Sequence, residues 1–242
     1  MREQTWHARL ASATHHFRYE NIIGLHAITL EWLRELNIER PSHLMRRGLD
    51  DNLSTTAWML QPLTSAAPTG AEFHSLLDDT APDDLLARLE QTVWLVQSWS
   101  LSAILERNTG KDAGAAINML EQASWKCGRD FAMARWKRSA RDHSPLLIQD
   151  ALAAFRDSPM CPPPPARAFL EKRSTRTRSE IELMGCPHMS RFSETRAVAG
   201  HLCPLHAGWT RGFAYGLDTR IAVEYSPGTD GSRCVLQWHV SQ

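Results

Sequence analysis

CPHMSRFSETRAVAGHLCPLHAGWTRGFAYGLDTRIAVEYSPGTDGSRC, residues 186–234, is the stretch on which the fold of this chain turns. It opens on Cys186-Pro187-His188, runs through His201-Leu202-Cys203-Pro204-Leu205-His206, and closes on Cys234. Three of the five cysteines and three of the eleven histidines lie inside it, so thiol and imidazole chemistry is concentrated in the last third of the chain. Val198, Leu202, Leu205, Trp209 and Phe213 recur at the steps of one helix face. Pro204 should either kink that helix or put its start at Cys203, and Gly216 predicts its C-terminal cap. Beyond it Ile221, Val223 and Tyr225 alternate, then Cys234, Leu236, Trp238 and Val240. With Asp230-Gly231 between the two runs, this is a β-hairpin whose apolar side includes Cys234.

Before this stretch, Ala168 and Leu170, then Ile181 and Leu183 with Glu180 and Glu182 between them, predict strand, either two antiparallel strands with the turn over Thr175–Ser179 or a single long bent one. The intervening charges imply a sheet with one wet face. Four consecutive prolines, Pro162–Pro165, hold polyproline II and mark the boundary of this part. Upstream the period is helical. Residues 5–36 carry Trp6, Leu10, Phe17, Ile22, Leu25, Ile28, Trp32 and Leu36, and predict one or two helices ending before Pro41. Residues 54–81 are broken by Pro62, Pro68 and Gly70 and predict a loop. Asp83 and Asp84 open a helix through Leu85, Leu89, Val93, Val96 and Ala103, with Trp94 and Trp99 on its flanks, stopping near Asn108. Asp112 caps the next helix, whose stripe includes Leu120, Ser124, Cys127 and Phe131, so that Cys127 reads as a small core residue. Ser144-Pro145 opens a short helix through Leu147, Ala151, Leu152 and Phe155. The fold expected is α+β: a helical N-terminal part, residues 1–160, packed on a C-terminal part, residues 161–242, with an antiparallel sheet and one or two helices.

Twenty-seven basic and twenty-seven acidic residues cancel, which removes the electrostatic footprint of a nucleic-acid binder. No apolar run reaches the length of a membrane span, and the first residues lack the apolar core of a signal peptide, so a cytoplasmic protein is expected. Five cysteines, an odd number, do not read as a secreted disulfide framework, and Cys161 in the connector reads as incidental. A small-molecule substrate is the expected partner, with no nucleic acid and no membrane; a homo-oligomer is compatible with the sequence. GxGxxG, Walker A, HExxH and GxSxG motifs are all missing, so dinucleotide, P-loop, zincin and serine-hydrolase chemistries lack support.

A thiolate is both nucleophile and soft ligand, and its pKa falls beside an imidazolium or a helix N-terminus. If a helix starts near Pro204, Cys203 takes the cap position with His206 in the first turn. Cys186-Pro187-His188 offers a second thiol and imidazole on a loop after a strand. The catalytic candidates are therefore Cys186 or Cys203 as nucleophile and His188 or His206 as base, with Cys234 on the sheet floor. Trp209 and Phe213 are the aromatic candidates for substrate contact, although a stripe at helical spacing is also what a core needs. Glu224 is a further candidate for contact with substrate. No cofactor is expected under this reading. A competing reading is zinc held by Cys203, Cys234 and His206 or Glu224; strand parity turns Glu224 away from Cys234.

The order of strand, Gly185-Cys186-Pro187, helix with Leu202-Cys203, and hairpin with Gly231 and Cys234 resembles the L-2-amino-thiazoline-4-carboxylic acid hydrolase family, from about Leu146 onward. The resemblance implies a hydrolase acting on a C–N bond of a cyclic amidine or related small substrate, or a biosynthetic enzyme on the same scaffold. The same third is similar to the 4-vinyl reductase type of ligand-binding domain, in Cys203, Gly208-Trp209, Gly212, Glu224 and Cys234. That likeness implies a non-catalytic small-molecule sensor with zinc on Cys203, Glu224 and Cys234. The chain departs from it in carrying Tyr225-Ser226-Pro227 where a further cysteine ligand belongs, unless His206 substitutes.

Overall fold

A computed structural model describes residues 13–36, 82–108, 111–136, 146–160, 168–184, 193–227 and 233–241. The 54–81 loop, the Pro162–Pro165 connector, Cys161, Cys186, His188 and the Asp230-Gly231 turn lie outside them.

The fold is α+β. Among the described residues, five helices, α1 (Ala13–Glu35), α2 (Pro82–Arg107), α3 (Lys111–Arg135), α4 (Ile148–Arg156) and α5 (Ser193–Leu217), accompany four strands, β1 (Ala168–Ser174), β2 (Arg178–Met184), β3 (Ile221–Pro227) and β4 (Arg233–Val240). α1 packs on α2 and α3, and α5 packs on the same two, most extensively on α3, so the four long helices form a ring. No helix among the described residues is long and apolar enough to cross a membrane.

Each helix follows from its sequence. In α1, Ile22, Leu25, Ile28 and Trp32 recur at helical steps and are buried. Pro82 sits at the first position of α2, where its missing N–H costs nothing, and Asp83 and Asp84 favour the positive helix end. Arg18 of α1 binds Glu90 of α2 at 3.2 Å, and Lys126 of α3 binds Glu31 of α1 at 2.7 Å. Trp32 donates its indole N–H to Ser124 Oγ at 2.8 Å, satisfying both polar atoms inside the ring. α3 begins at Lys111, which places Asp112 inside the first turn rather than at the cap. α4 begins at Ile148 behind an extended Leu147, three residues later than Pro145 suggests. On α2 the expected Val93 is buried, and Trp94, expected on a flank, is core beside it together with Leu86, Leu101 and Ile104.

α5 corrects two expectations. It starts at Ser193 and carries Pro204 in its interior, so Cys203 lies ten residues inside the helix and gains nothing from a helix N-terminus. Gly216 lies within the helix, and what requires glycine there is an approach of backbone to backbone. A Cβ at Gly212 would collide with the Trp125 carbonyl of α3, one at Gly216 would sit 2.5 Å from the Arg129 carbonyl, and one at Gly208 would sit 3.1 Å from Glu121 Cγ. Gly128 of α3 answers from the other side, where a Cβ would collide with the Trp209 carbonyl. The step of four along α5 therefore forms a glycine seam that brings the two helix axes together.

The sheet has the order β1-β2-β4-β3 and is antiparallel throughout. Thr175 closes the first hairpin, its hydroxyl accepting from the Arg178 N–H at 2.9 Å. Ile181, Leu183, Ile221, Val223, Cys234, Leu236 and Trp238 point inward, where α4 and α5 cover them. The outer face is the expected wet one, with Glu182 bound to Lys172 at 2.5 Å and to Arg233 at 3.2 Å, pairings that hold its carboxyl below the usual range. Between sheet and ring, Phe131, Trp136, Phe155, Trp209, Phe213 and Trp238 interlock; Trp209 stacks on Phe213 at 5.1 Å, and Phe155 meets Trp238 at 5.2 Å.

Candidate functional site at the corner of α5, α2 and the β3–β4 hairpin

Cys203 and His206 stand one turn apart on α5, with side chains separated by about 60° around the helix axis. Cys203 belongs to the flank that lies on β3. There its sulfur and that of Cys234 both neighbour the Tyr225 hydroxyl, which is 3.9 Å from Cys234 Sγ. Tyr225 and Cys234 reach each other because they sit diagonally on the inner side of the β3–β4 pairing, in which Tyr225 faces Leu236 and Pro227 faces Cys234. Cys234 is buried and Cys203 partly exposed. Burial pushes the Tyr225 phenol well above its usual range, and the two sulfurs beside it push the same way, so the hydroxyl keeps its proton.

His206 faces α2. Its Nε2 is 2.9 Å from Oε1 of Gln97, and its ring meets the edge of Trp94 at 5.4 Å. Gln97 is fully buried, and its amide nitrogen has no hydrogen-bond partner among the described residues. Thr210 returns a hydrogen bond to the His206 carbonyl at 3.0 Å, just beyond Pro204.

The expected residues thus divide. Cys203, Cys234 and His206 share one corner. Trp209 and Phe213, proposed for substrate contact, are fully buried with their faces taken by other aromatic rings. Glu224 lies on the outer side of the sheet, its side chain 69% exposed and 4.0 Å from His239. That position follows from alternation, since Val223 and Tyr225 on either side of it point inward, and it removes Glu224 from the corner. A zinc site on Cys203, Glu224 and Cys234 does not fit this arrangement, and among the described residues no three His, Cys, Asp or Glu side chains gather closely enough to hold a metal. Cys127, expected in the core, is partly buried and packs against it: burial pushes its thiol up to about 12, with Glu31 and Asp130 adding to the effect, and its sulfur lies 3.8 Å from the Ala27 carbonyl.

Two members of the corner, Tyr225 and Gln97, went unmarked in the sequence. Gln97 did leave a signal, an amide on the buried side of α2 between Trp94 and Leu101. Tyr225 left none, because a tyrosine alternating on a strand is ordinary.

The class these observations define is an α+β protein in which a ring of helices carries a four-stranded antiparallel sheet and a thiol-imidazole corner sits where they meet. Compared with protein-family models, curated proteins and solved structures, the chain matches none of them.

Proposed function

We propose that this protein is an enzyme acting on a C–N bond of a cyclic amidine or related small substrate, as the resemblance to the L-2-amino-thiazoline-4-carboxylic acid hydrolase family implies. Cys203 is the nucleophile, His206 the acid and base, and Cys234 lines the floor. The observation that carries the reading is the meeting of Cys203 and Cys234 at one phenol, with an imidazole a single helical turn from Cys203. A nucleophile and a base on adjacent turns of one helix, with a third group beside the base, is the kind of arrangement that covalent catalysis draws on.

In this reaction the Cys203 sulfur adds to the amidine carbon while His206 takes the thiol proton. His206 then returns that proton to nitrogen as the C–N bond breaks and the ring opens. Water, deprotonated by His206, attacks the carbon still joined to sulfur; the carbon–sulfur bond breaks and the thiol is restored. Splitting one hard displacement into two easier ones is what lowers the barrier.

Turnover of a 2-amino-thiazoline carboxylate, followed by the appearance of the ring-opened product, tests the reading. Cys203→Ser should reduce turnover by at least about a hundredfold. Full turnover in Cys203→Ser together with its loss in Cys186→Ser would transfer the chemistry to the Cys186-Pro187-His188 segment. Full turnover in both removes the thiol mechanism.

A further inference from the structure

We propose that Gln97 is a positioning residue for this site, holding His206 in the tautomer that acts on Cys203; the inference rests on the reading of Cys203 and His206 as nucleophile and base. A glutamine is a costly choice at its position. It is fully buried on the core side of α2, where Leu86, Val93, Leu101 and Ile104 are its neighbours in the pattern, and its amide nitrogen finds no partner among the described residues. A leucine or methionine would fill the same space without an orphaned donor. What the amide provides is a carbonyl oxygen 2.9 Å from His206 Nε2.

In a neutral imidazole one ring nitrogen donates and the other accepts. With Oε1 as the neighbour of Nε2, Nε2 carries the hydrogen and Nδ1 carries the lone pair. Side chains on a helix lean toward its N-terminus, so the His206 ring lies back over the preceding turn, which bears Cys203. On this proposal the lone pair points toward the turn holding the thiol, and the edge of Trp94 stands 5.4 Å from the ring on the α2 side. A base oriented by a third group is the logic shared by the Ser-His-Asp and Cys-His-Asn triads. Here the third group belongs to a different helix, 109 residues away in sequence. Among the described residues, Tyr225 from β3 and Cys234 from β4 are titratable groups beside Cys203, while α2 presents Gln97 and Trp94, which do not titrate, to His206. α3 meets the glycine flank of α5.

The test measures carbamidomethylation of Cys203 by iodoacetamide in the full chain, resolved from the other thiols by peptide mass mapping, at pH 5 to 10. His206→Gln should lower the rate at pH 7 by about tenfold or more and move the midpoint toward that of an ordinary thiol. Gln97→Met should do the same in a chain that melts cooperatively by circular dichroism. Gln97→Glu, which retains an acceptor at the same reach, should keep the fast profile. If Gln97→Met fails to fold, Gln97→Asn, one methylene too short to reach the ring, takes its place with the same expectation. A wild-type profile in Gln97→Met or Gln97→Asn, beside a shifted one in His206→Gln, overturns the role of Gln97 and leaves the proposed function standing. A wild-type profile in His206→Gln overturns the base assignment and the positioning role with it.

Discussion

Along α5, the flank that meets α3 is built of glycine, and the flank that meets α2 and β3 carries sulfur, imidazole and, from its neighbours, amide and phenol. Each interior glycine gives up about 1 kcal/mol of helix propensity relative to alanine. Gly208, Gly212 and Gly216 together therefore weaken α5 as an isolated helix, and the close packing against α3 has to make up the difference. On that flank no atom can be added. On the other flank polar groups are buried with unused capacity, the Gln97 amide nitrogen being the clearest case. The contrast teaches that the placement of α5 is set by steric exclusion along one side, and this leaves the opposite side free to hold groups that do little for stability. A reactive corner needs such backing, because its atoms must keep their places without depending on their own contacts.

The sharpest way to break the comparison is Gly212→Ala. Its methyl meets a backbone carbonyl, which cannot swing aside, so the helices must part, with a loss of more than about 4 kcal/mol in urea unfolding. A wild-type urea midpoint would show that the glycine seam does not exist. A smaller effect is expected where α5 hands over to β3. Arg220 beside Asp218, with the N–H groups of Arg220 and Leu146, holds the Asp218 carboxyl at about 2 against an ordinary 3.8. Because the folded value is the lower one, the contribution is complete above about pH 4 and disappears as pH falls through about 2. Asp218→Asn should cost about 1 kcal/mol at neutral pH after allowance for solvent screening, and should flatten the acid limb of the stability curve. An unchanged acid limb would argue against the pairing.

On the reactive flank, Tyr225→Phe removes the hydroxyl that Cys203 and Cys234 share. Stability should change by no more than about 1 kcal/mol, while the iodoacetamide rate of Cys203 falls. Equal rates in the two proteins would mean that the phenol does not serve the thiol. The smallest effect has the opposite sign to the first. A Cβ at Gly200 meets nothing within 4 Å, so Gly200→Ala should stabilise α5 by about 0.5–1 kcal/mol, seen as a higher urea midpoint. A lower midpoint would show that the turn before Pro204 depends on glycine for some other reason.

Most of the architecture was legible because it rests on local periodicity. The alternation of Ile221, Val223 and Tyr225 against Cys234, Leu236 and Trp238 specifies both the hairpin and its inner side, and the charges of Glu180 and Glu182 mark the outer face, where Lys172 and Arg233 cover Glu182. The place of Cys127 in a helical stripe points it toward the core, against which it packs half-buried. The errors arose where one residue type has two physical uses. Glycine near a helix end serves as a cap or as a seam, and only the partner helix decides which; Gly216 was read as the first and is the second. Proline can start a helix or interrupt one, and Pro204 interrupts, which removes the dipole argument once applied to Cys203. At the corner, Cys203, His206 and Cys234 were visible as reactive types within a short window. Gln97 was not, because its partnership with His206 forms only when α2 and α5 meet, and no local pattern encodes that meeting.

The strand order carries a final consequence, for synthesis. Among the described residues β4 follows the other three strands in sequence yet lies between β2 and β3, and it is the element through which the two hairpins are joined. A chain emerging from the ribosome can close the β1–β2 hairpin early, but β3 must wait without a partner strand until residues 233–240 are out. The thiol of Cys234 arrives in that same last segment, so the corner around Cys203 is assembled by the step that completes the sheet.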